Sequence, residues 1–387
     1  IQAYLDNGEG IVYGEVDLSR SRNKSWGILS GGQVTKSPVD ESMGDRLADR
    51  RPTEYITLVN NTYLWEPLRY HSMYDLGALP PGQLSCVGII QTELEAFQGY
   101  KGADQSAMGT INRPLRVARK DGDPKSGPYE LLRDMLRTLI RDAAPARPDV
   151  LVLPELMLPG PVPSQEAMAH FQSGAVTVPG PETDALVELA AEFQISLVLG
   201  VAEKDLGTGP GAGRPQGSPL HFMSTPTYYN TVLLIDPEGI YGKYRKLHLT
   251  RTDRSWASPG NLGLPIFDTP AGRIGLATGY DVLFPETLRV LAGKGVDLVC
   301  APTLLNFPDP IGLGTTTIQF GRPVDPGDYD TSHYLIWRVR AAEHHVYLAL
   351  ANWKGQSNGV RANGNSGIFS PSDATYPWIE VTAEEGE

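Results

Sequence analysis

Three stretches of the chain carry residue types suited to acid–base or nucleophilic chemistry, each beside an apolar run. Glu155 follows the apolar residues 150–153 and Pro154, with Leu156 and Met157 next in line. A carboxylate desolvated at such a place has a raised pKa and suits a general base; the alternative is a solvated loop glutamate. Lys246 lies in Tyr244-Arg245-Lys246-Leu247-His248-Leu249, after a turn at Asp236-Pro237-Glu238-Gly239. An ammonium held between apolar neighbours can stabilise a developing oxyanion; taken alone, the segment also reads as an exposed basic strand. Residues 275–281 run from a strand into a tight turn, and Phe284-Pro285-Glu286 opens a helix. That is the geometry of a nucleophile elbow, where Ser or Cys is expected at the turn. The turn holds Gly279 instead, which equally fits an ordinary strand-to-helix turn.

These residues need a scaffold, and the apolar pattern supplies one. Residues 86–91, 150–153, 196–200, 231–235, 274–277, 296–301 and 346–351 read as buried strands. Residues 129–141, 183–193, 285–294 and 334–345 show helical spacing, with Thr183 as a cap region. Strands alternating with helices predict an α/β layered fold with helices over a mostly buried sheet. Gly- and Pro-rich stretches at 31–38, 77–82, 207–219 and 308–326 read as loops. The G-x-G spacing within 207–219 is broken by Pro210 and Pro215, so a surface loop is expected there rather than a phosphate cradle. Before Cys86 no strand–helix cycle starts; residues 10–18 read as a lone strand followed by polar sequence.

Composition narrows the function classes. The chain has 387 residues, 41% hydrophobic and 20% charged, which is a globular balance. A formal net charge of -12 argues against a general nucleic-acid binder. No apolar run is long enough for a membrane helix, and no signal peptide is visible at residues 1–10. Two cysteines, Cys86 and Cys300, exclude a disulfide framework and fit a reducing cytoplasm. Both are expected to be buried in strands. His344 and His345 are adjacent, no His/Cys cluster has zinc spacing, and no cofactor signal occurs.

The three sites together resemble the nitrilase superfamily of carbon–nitrogen hydrolases. The resemblance rests on Leu153-Pro154-Glu155, on residues 242–249 (GKYRKLHL) and on residues 279–286 (GYDVLFPE). It extends to Tyr229-Asn230-Thr231, Arg340-Ala341-Ala342-Glu343, Ala351-Asn352 and Asn365-Ser366-Gly367, in family order. It implies a four-layer α-β-β-α sandwich and a Glu–Lys–Cys triad that forms a covalent intermediate on an amide or nitrile carbon. By this resemblance Glu155 is the base and Lys246 the oxyanion partner, and Asp253 takes a position that is often a second Glu. Asp is one methylene shorter, a change of about 1 Å that matters at catalytic distances. Tyr280, Thr303 and Asn306 are expected to touch substrate. An oligomer, a dimer or larger, is implied by the resemblance alone.

Gly279 occupies the nucleophile position, so thiol catalysis cannot run on this chain. Cys300 and Cys86 read as core residues, Thr278 points to the opposite strand face, and Tyr280 is a poor nucleophile without an activating base. Either the chain is an inactivated variant, or it is a natural member without thiol chemistry. Such a member could use Glu155 and Lys246 for acid–base chemistry on a small amide, nitrile or related C–N compound. A catalytically silent binding or assembly protein on the same fold is the alternative.

Segment order is a second departure from the family. The family's closing strand and its DRRPxxY tail are absent after Ser370, but residues 10–18 and Asp49-Arg50-Arg51-Pro52-Thr53-Glu54-Tyr55 match them. The order suggests a circular permutation: 1–59 as the displaced C-terminal segment, 60–83 as a linker, and 84–387 as the main domain. A fragment cut from a tandem pair is the other reading.

Overall fold

The computed structural model describes residues 28–30, 33–35, 50–56, 58, 84–94, 148–207, 226–305, 334–357, 359–364, 366–369, 371 and 381–382. The strand expected at 10–18, the linker 60–83, the helix at 129–141, the loop at 308–326 and nearly all of the 207–219 loop lie outside these residues.

Labels follow the described elements in chain order. Strands β1 (Ile28–Ser30) and β2 (Gln33–Thr35) form a small hairpin. β3 (Val87–Ile89), β4 (Thr92–Glu93) and β5 (Val150–Val152) precede helices α1 (Ala167–Gly174) and α2 (Pro181–Phe193). β6 (Ser196–Asp205), β7 (Thr227–Asp236) and β8 (Gly239–Arg245) follow, then the single turn α3 (Arg251–Arg254). Next come β9 (Ile266–Thr269), β10 (Gly272–Leu276), the turn α4 (Gly279–Val282), α5 (Pro285–Gly293) and β11 (Leu298–Thr303). α6 (Tyr334–His344), β12 (Tyr347–Ser357), β13 (Val360–Asn363), β14 (Gly367–Phe369) and β15 (Val381–Thr382) close the series.

The strands form two sheets. One has the order β3-β5-β6-β7-β8; the other runs β15-β14-β12-β11-β10-β9, with β13 and β4 also paired to β12. Alternation along the first sheet sorts its side chains. Val150, Val152, Val198, Val232 and Leu234 share a buried cluster with Ile274, Leu276, Val299 and Ala301 of the second sheet. Leu151, Leu197, Leu199, Leu233 and Ile235 face the other way, under Leu186, Leu189 and Ala190 of α2. On the second sheet, α5 and α6 contribute Leu288, Leu291, Trp337 and Ala341. The result is the α-β-β-α sandwich, each fully buried Leu or Val contributing about 1.5–3 kcal/mol.

Three local expectations change. Thr183 is not the first cap of α2: the cap is Gly180, and Thr183, three residues on, accepts its backbone N–H at 2.8 Å. Cys300 is buried as expected, but Cys86 is only half-buried because it precedes β3 at the sheet's border. His248 lies in a bend beyond β8, not in a strand.

Among the described residues no helix is long and apolar enough to cross a membrane.

Candidate functional site

Glu155 is placed by the way β5 ends. Beyond Val152 the chain turns through Leu153 and Pro154, and Leu156 takes a left-handed backbone with φ 54°. The turn is pinned to β6 by Met157 N–H donating to Gly200 O at 2.7 Å. Gly200 permits this approach: a Cβ there would lie 2.5 Å from Leu156 N and 2.7 Å from Glu155 Cα. From the second sheet, Trp353 Nε1 donates to the Glu155 carbonyl at 2.6 Å. The side chain then projects into the seam between sheets, only 1% exposed.

Lys246 follows the last residue of β8, so alternation sends it and Arg245 to opposite faces. Arg245 turns away into an ionic cluster, donating twice to Glu203 at 2.9 and 2.7 Å and lying 3.9 Å from the Tyr229 ring centre. Lys246 turns inward and donates from Nζ to Glu155 Oε1 at 2.7 Å. Its second partner is Asp253 Oδ2 at 2.8 Å. Asp253 reaches that distance because it sits on α3, whose cap Thr250 ties it down through Oγ1 at 2.7 Å and N–H at 2.9 Å. The shorter carboxylate therefore still meets the lysine.

Asn230 completes the group. Its Nδ2 donates to Glu155 Oε1 at 2.7 Å and to Asp253 Oδ1 at 3.0 Å, joining the two carboxylates. Sequence reasoning included Asn230 only as part of a flanking motif. The available signal was an amide within an otherwise apolar buried strand, since a buried amide needs partners. Leu304 N–H donates to Glu155 Oε2 at 2.9 Å, so both carboxylate oxygens are engaged.

The electrostatics follow from two carboxylates sharing one ammonium. Burial pushes the Glu155 carboxyl above its ordinary range, and Asp253 adds to the rise; Lys246 and Asn230 oppose it without cancelling it. Burial works against charge on Lys246 as well, but Asp253 and Glu155 outweigh it and hold the ammonium well above the usual lysine range. Lys246 thus stays charged, and Glu155 is poised to take up a proton.

The elbow is built as its sequence suggests. Thr278 caps α4, accepting Asp281 N–H and donating from Oγ1 to Asp281 Oδ2 at 2.8 Å. Its side chain is therefore spent on the cap and is not a spare nucleophile. Gly279 starts the helical turn. A Cβ there would lie 2.4 Å from Thr303 Cγ2 and 2.6 Å from Thr303 Oγ1. The Thr303 side chain fills the space that a side chain at 279 would occupy. Among the described cysteines, Cys300 is buried and its thiol is pushed well up by that burial, so it offers no thiolate.

A second buried pair joins the elbow to the lysine segment. Asp281 Oδ1 accepts from His248 N–H at 3.0 Å and pairs with His248 Nδ1 at 2.7 Å. The imidazole stacks on Phe284 with ring centres 3.8 Å apart, and its Nε2 pairs with the Tyr55 hydroxyl. Arg50 pairs with Glu286 at the start of α5. The segment matching the family's tail therefore docks beside the elbow.

A cavity of about 440 Å³ opens over this floor. Glu155, Lys246 and Asp253 line its base, with Leu156, Phe171 and Val360 among its apolar walls. Val162, Pro163 and Ser164 line it too. Of the residues expected to touch substrate, Tyr280 and Thr303 are buried and are not among the residues that line the cavity. Tyr280 is buried edge-on to Phe284 at 5.4 Å, with Lys246 Nζ 5.8 Å from its ring centre, and Thr303 is turned toward Gly279. Asn306 lies outside the described residues. Among the described residues no three His, Cys, Asp or Glu side chains gather in a way that could hold a metal ion.

The carbon-nitrogen hydrolase family profile matches residues 130–374. A nitrilase of Pyrococcus abyssi (strain GE5 / Orsay) is 29% identical over 248 residues, 64% of this chain and 78% of that protein. A bifunctional nitrilase/nitrile hydratase of Lupinus angustifolius is 31% identical over 186 residues, 44% of this chain and 48% of that protein. The chain thus spans about half the length of the plant relative. An amidase from Nesterenkonia sp. superposes with a TM-score of 0.48 at 23% identity, covering 76% of this chain and 86% of that one.

Proposed function

Since the chain belongs to the carbon-nitrogen hydrolase family, we propose that its cavity takes a small amide, nitrile or related C–N compound and acts on it without a covalent bond to the protein. Glu155 moves the proton, and Lys246 lies beside the negative charge that develops on the ligand. The observation that carries this reading is one of contrast. Glu155, Lys246 and Asp253 form a complete, buried, ion-paired floor under an open cavity, while the nucleophile position is glycine with its side-chain volume already filled. Docking of Tyr55 on His248 supports reading residues 50–56 as part of this same domain.

Titration calorimetry with a panel of small amides and nitriles tests the proposal. Saturable binding is expected, lost in Glu155→Gln with the fold intact by circular dichroism. No binding by any panel member, or binding unchanged in Glu155→Gln, contradicts it. Ammonia release from the bound amides separates an acid–base enzyme from a silent binding protein, because only the former loses a turnover rate in that variant.

A further inference from the structure

The cavity has a charge at its mouth that the floor does not explain. Arg361 lines it from β13, beside Gln356 of β12, its direct cross-strand partner. Cross-strand neighbours project to the same face, so guanidinium and amide stand together at the cavity edge. Ser164 and Thr252 also line the cavity, their hydroxyls 2.6 Å apart. Arg361 is exposed, and its guanidinium forms no ion pair with a described residue. The other charged lining residues, Glu155, Lys246 and Asp253, satisfy one another. Arg361 is thus the lining cation with donors to spare.

We infer that the ligand carries a carboxylate at the end remote from its C–N group, and that Arg361 receives it. A planar guanidinium binds a carboxylate through two parallel hydrogen bonds, which selects for that group and for its orientation. Gln356, the cross-strand neighbour of Arg361, offers a further donor beside it. The floor excludes the opposite placement, because Glu155 and Asp253 would repel a second anion. Polarity along the cavity therefore fixes the ligand's direction: C–N group toward Lys246, carboxylate toward Arg361.

This inference rests on the function proposed above, and the test separates the two. Calorimetry compares valeramide with glutaric acid monoamide, which have the same five-carbon length and differ by a terminal methyl against a carboxylate. The native chain should bind the monoamide at least about tenfold more tightly. Arg361→Gln should bring that ratio close to one by weakening the monoamide, and Arg361→Lys should retain part of it. Equal binding of the two by the native chain, or a preference that survives Arg361→Gln, overturns the inference alone. Binding of neither compound overturns the reading of the site as well.

Discussion

Lys246→Met should destabilise the protein by about 3–5 kcal/mol, because it leaves two buried carboxylates without their cation. The ammonium touches Glu155 at 2.7 Å and Asp253 at 2.8 Å, and all three side chains are at most 5% exposed. Water cannot replace the lost charge at that depth. The variant should respond by protonating Glu155, whose carboxyl already titrates above its ordinary value. A carboxyl with a raised folded-state pKa contributes stability below its unfolded value near 4.5, and that contribution is lost as pH rises through the folded value. Urea unfolding of Lys246→Met should therefore give a midpoint that falls with rising pH more steeply than in the native chain. A loss under 1 kcal/mol with the native pH slope would mean that the trio is hydrated rather than buried.

Asp281→Ala should cost a similar amount, about 3–5 kcal/mol, for a different reason. Asp281 accepts four hydrogen bonds: from His248 N–H at 3.0 Å and Nδ1 at 2.7 Å, and from Thr278 N–H at 3.0 Å and Oγ1 at 2.8 Å. Alanine leaves all four donors buried and unpaired, and frees the elbow from the segment that carries Lys246. Burial pushes the Asp281 carboxyl up, but its bonds to His248 and the charge on Lys246 prevail, so it titrates below its ordinary value of 3.8. Its stabilisation is therefore present above pH 3.8 and is lost as pH falls through the lower folded value. Thermal unfolding across the acid range should show this limb in the native chain and not in Asp281→Ala. Asp281→Asn keeps one of the two acceptor oxygens and should cost less than alanine. Equal stability of all three proteins would show that the pair is dispensable.

Much of this was legible in the sequence because strand periodicity and the three motifs are local signals. The apolar run at 150–152 and the Pro-Glu after it mark both a strand and the carboxylate that it carries. Gly279 was visible as a missing side chain, yet nothing local says what fills its space; that Thr303 does so depends on the parallel pairing of β10 with β11. Asn230 and Arg361 escaped for the same reason. An amide in a strand acquires meaning only when packing brings Glu155 and Asp253 to it, and an arginine on a hairpin only when β13 borders the cavity. The segment 244–249 reads locally as a basic strand, whereas Asp281 and Tyr55, distant in sequence, decide the place of His248.

The central claim is that the site engages its ligand with no bond to the protein, and intact mass after rapid acid quenching tests it most directly. The native chain, saturated with a small amide that calorimetry shows to bind, should keep an unchanged mass. The double variant Gly279→Cys with Thr303→Ala, which supplies a thiol and the room for it, should gain the mass of the acyl group. An acyl adduct on the native chain, at any side chain, would contradict the account.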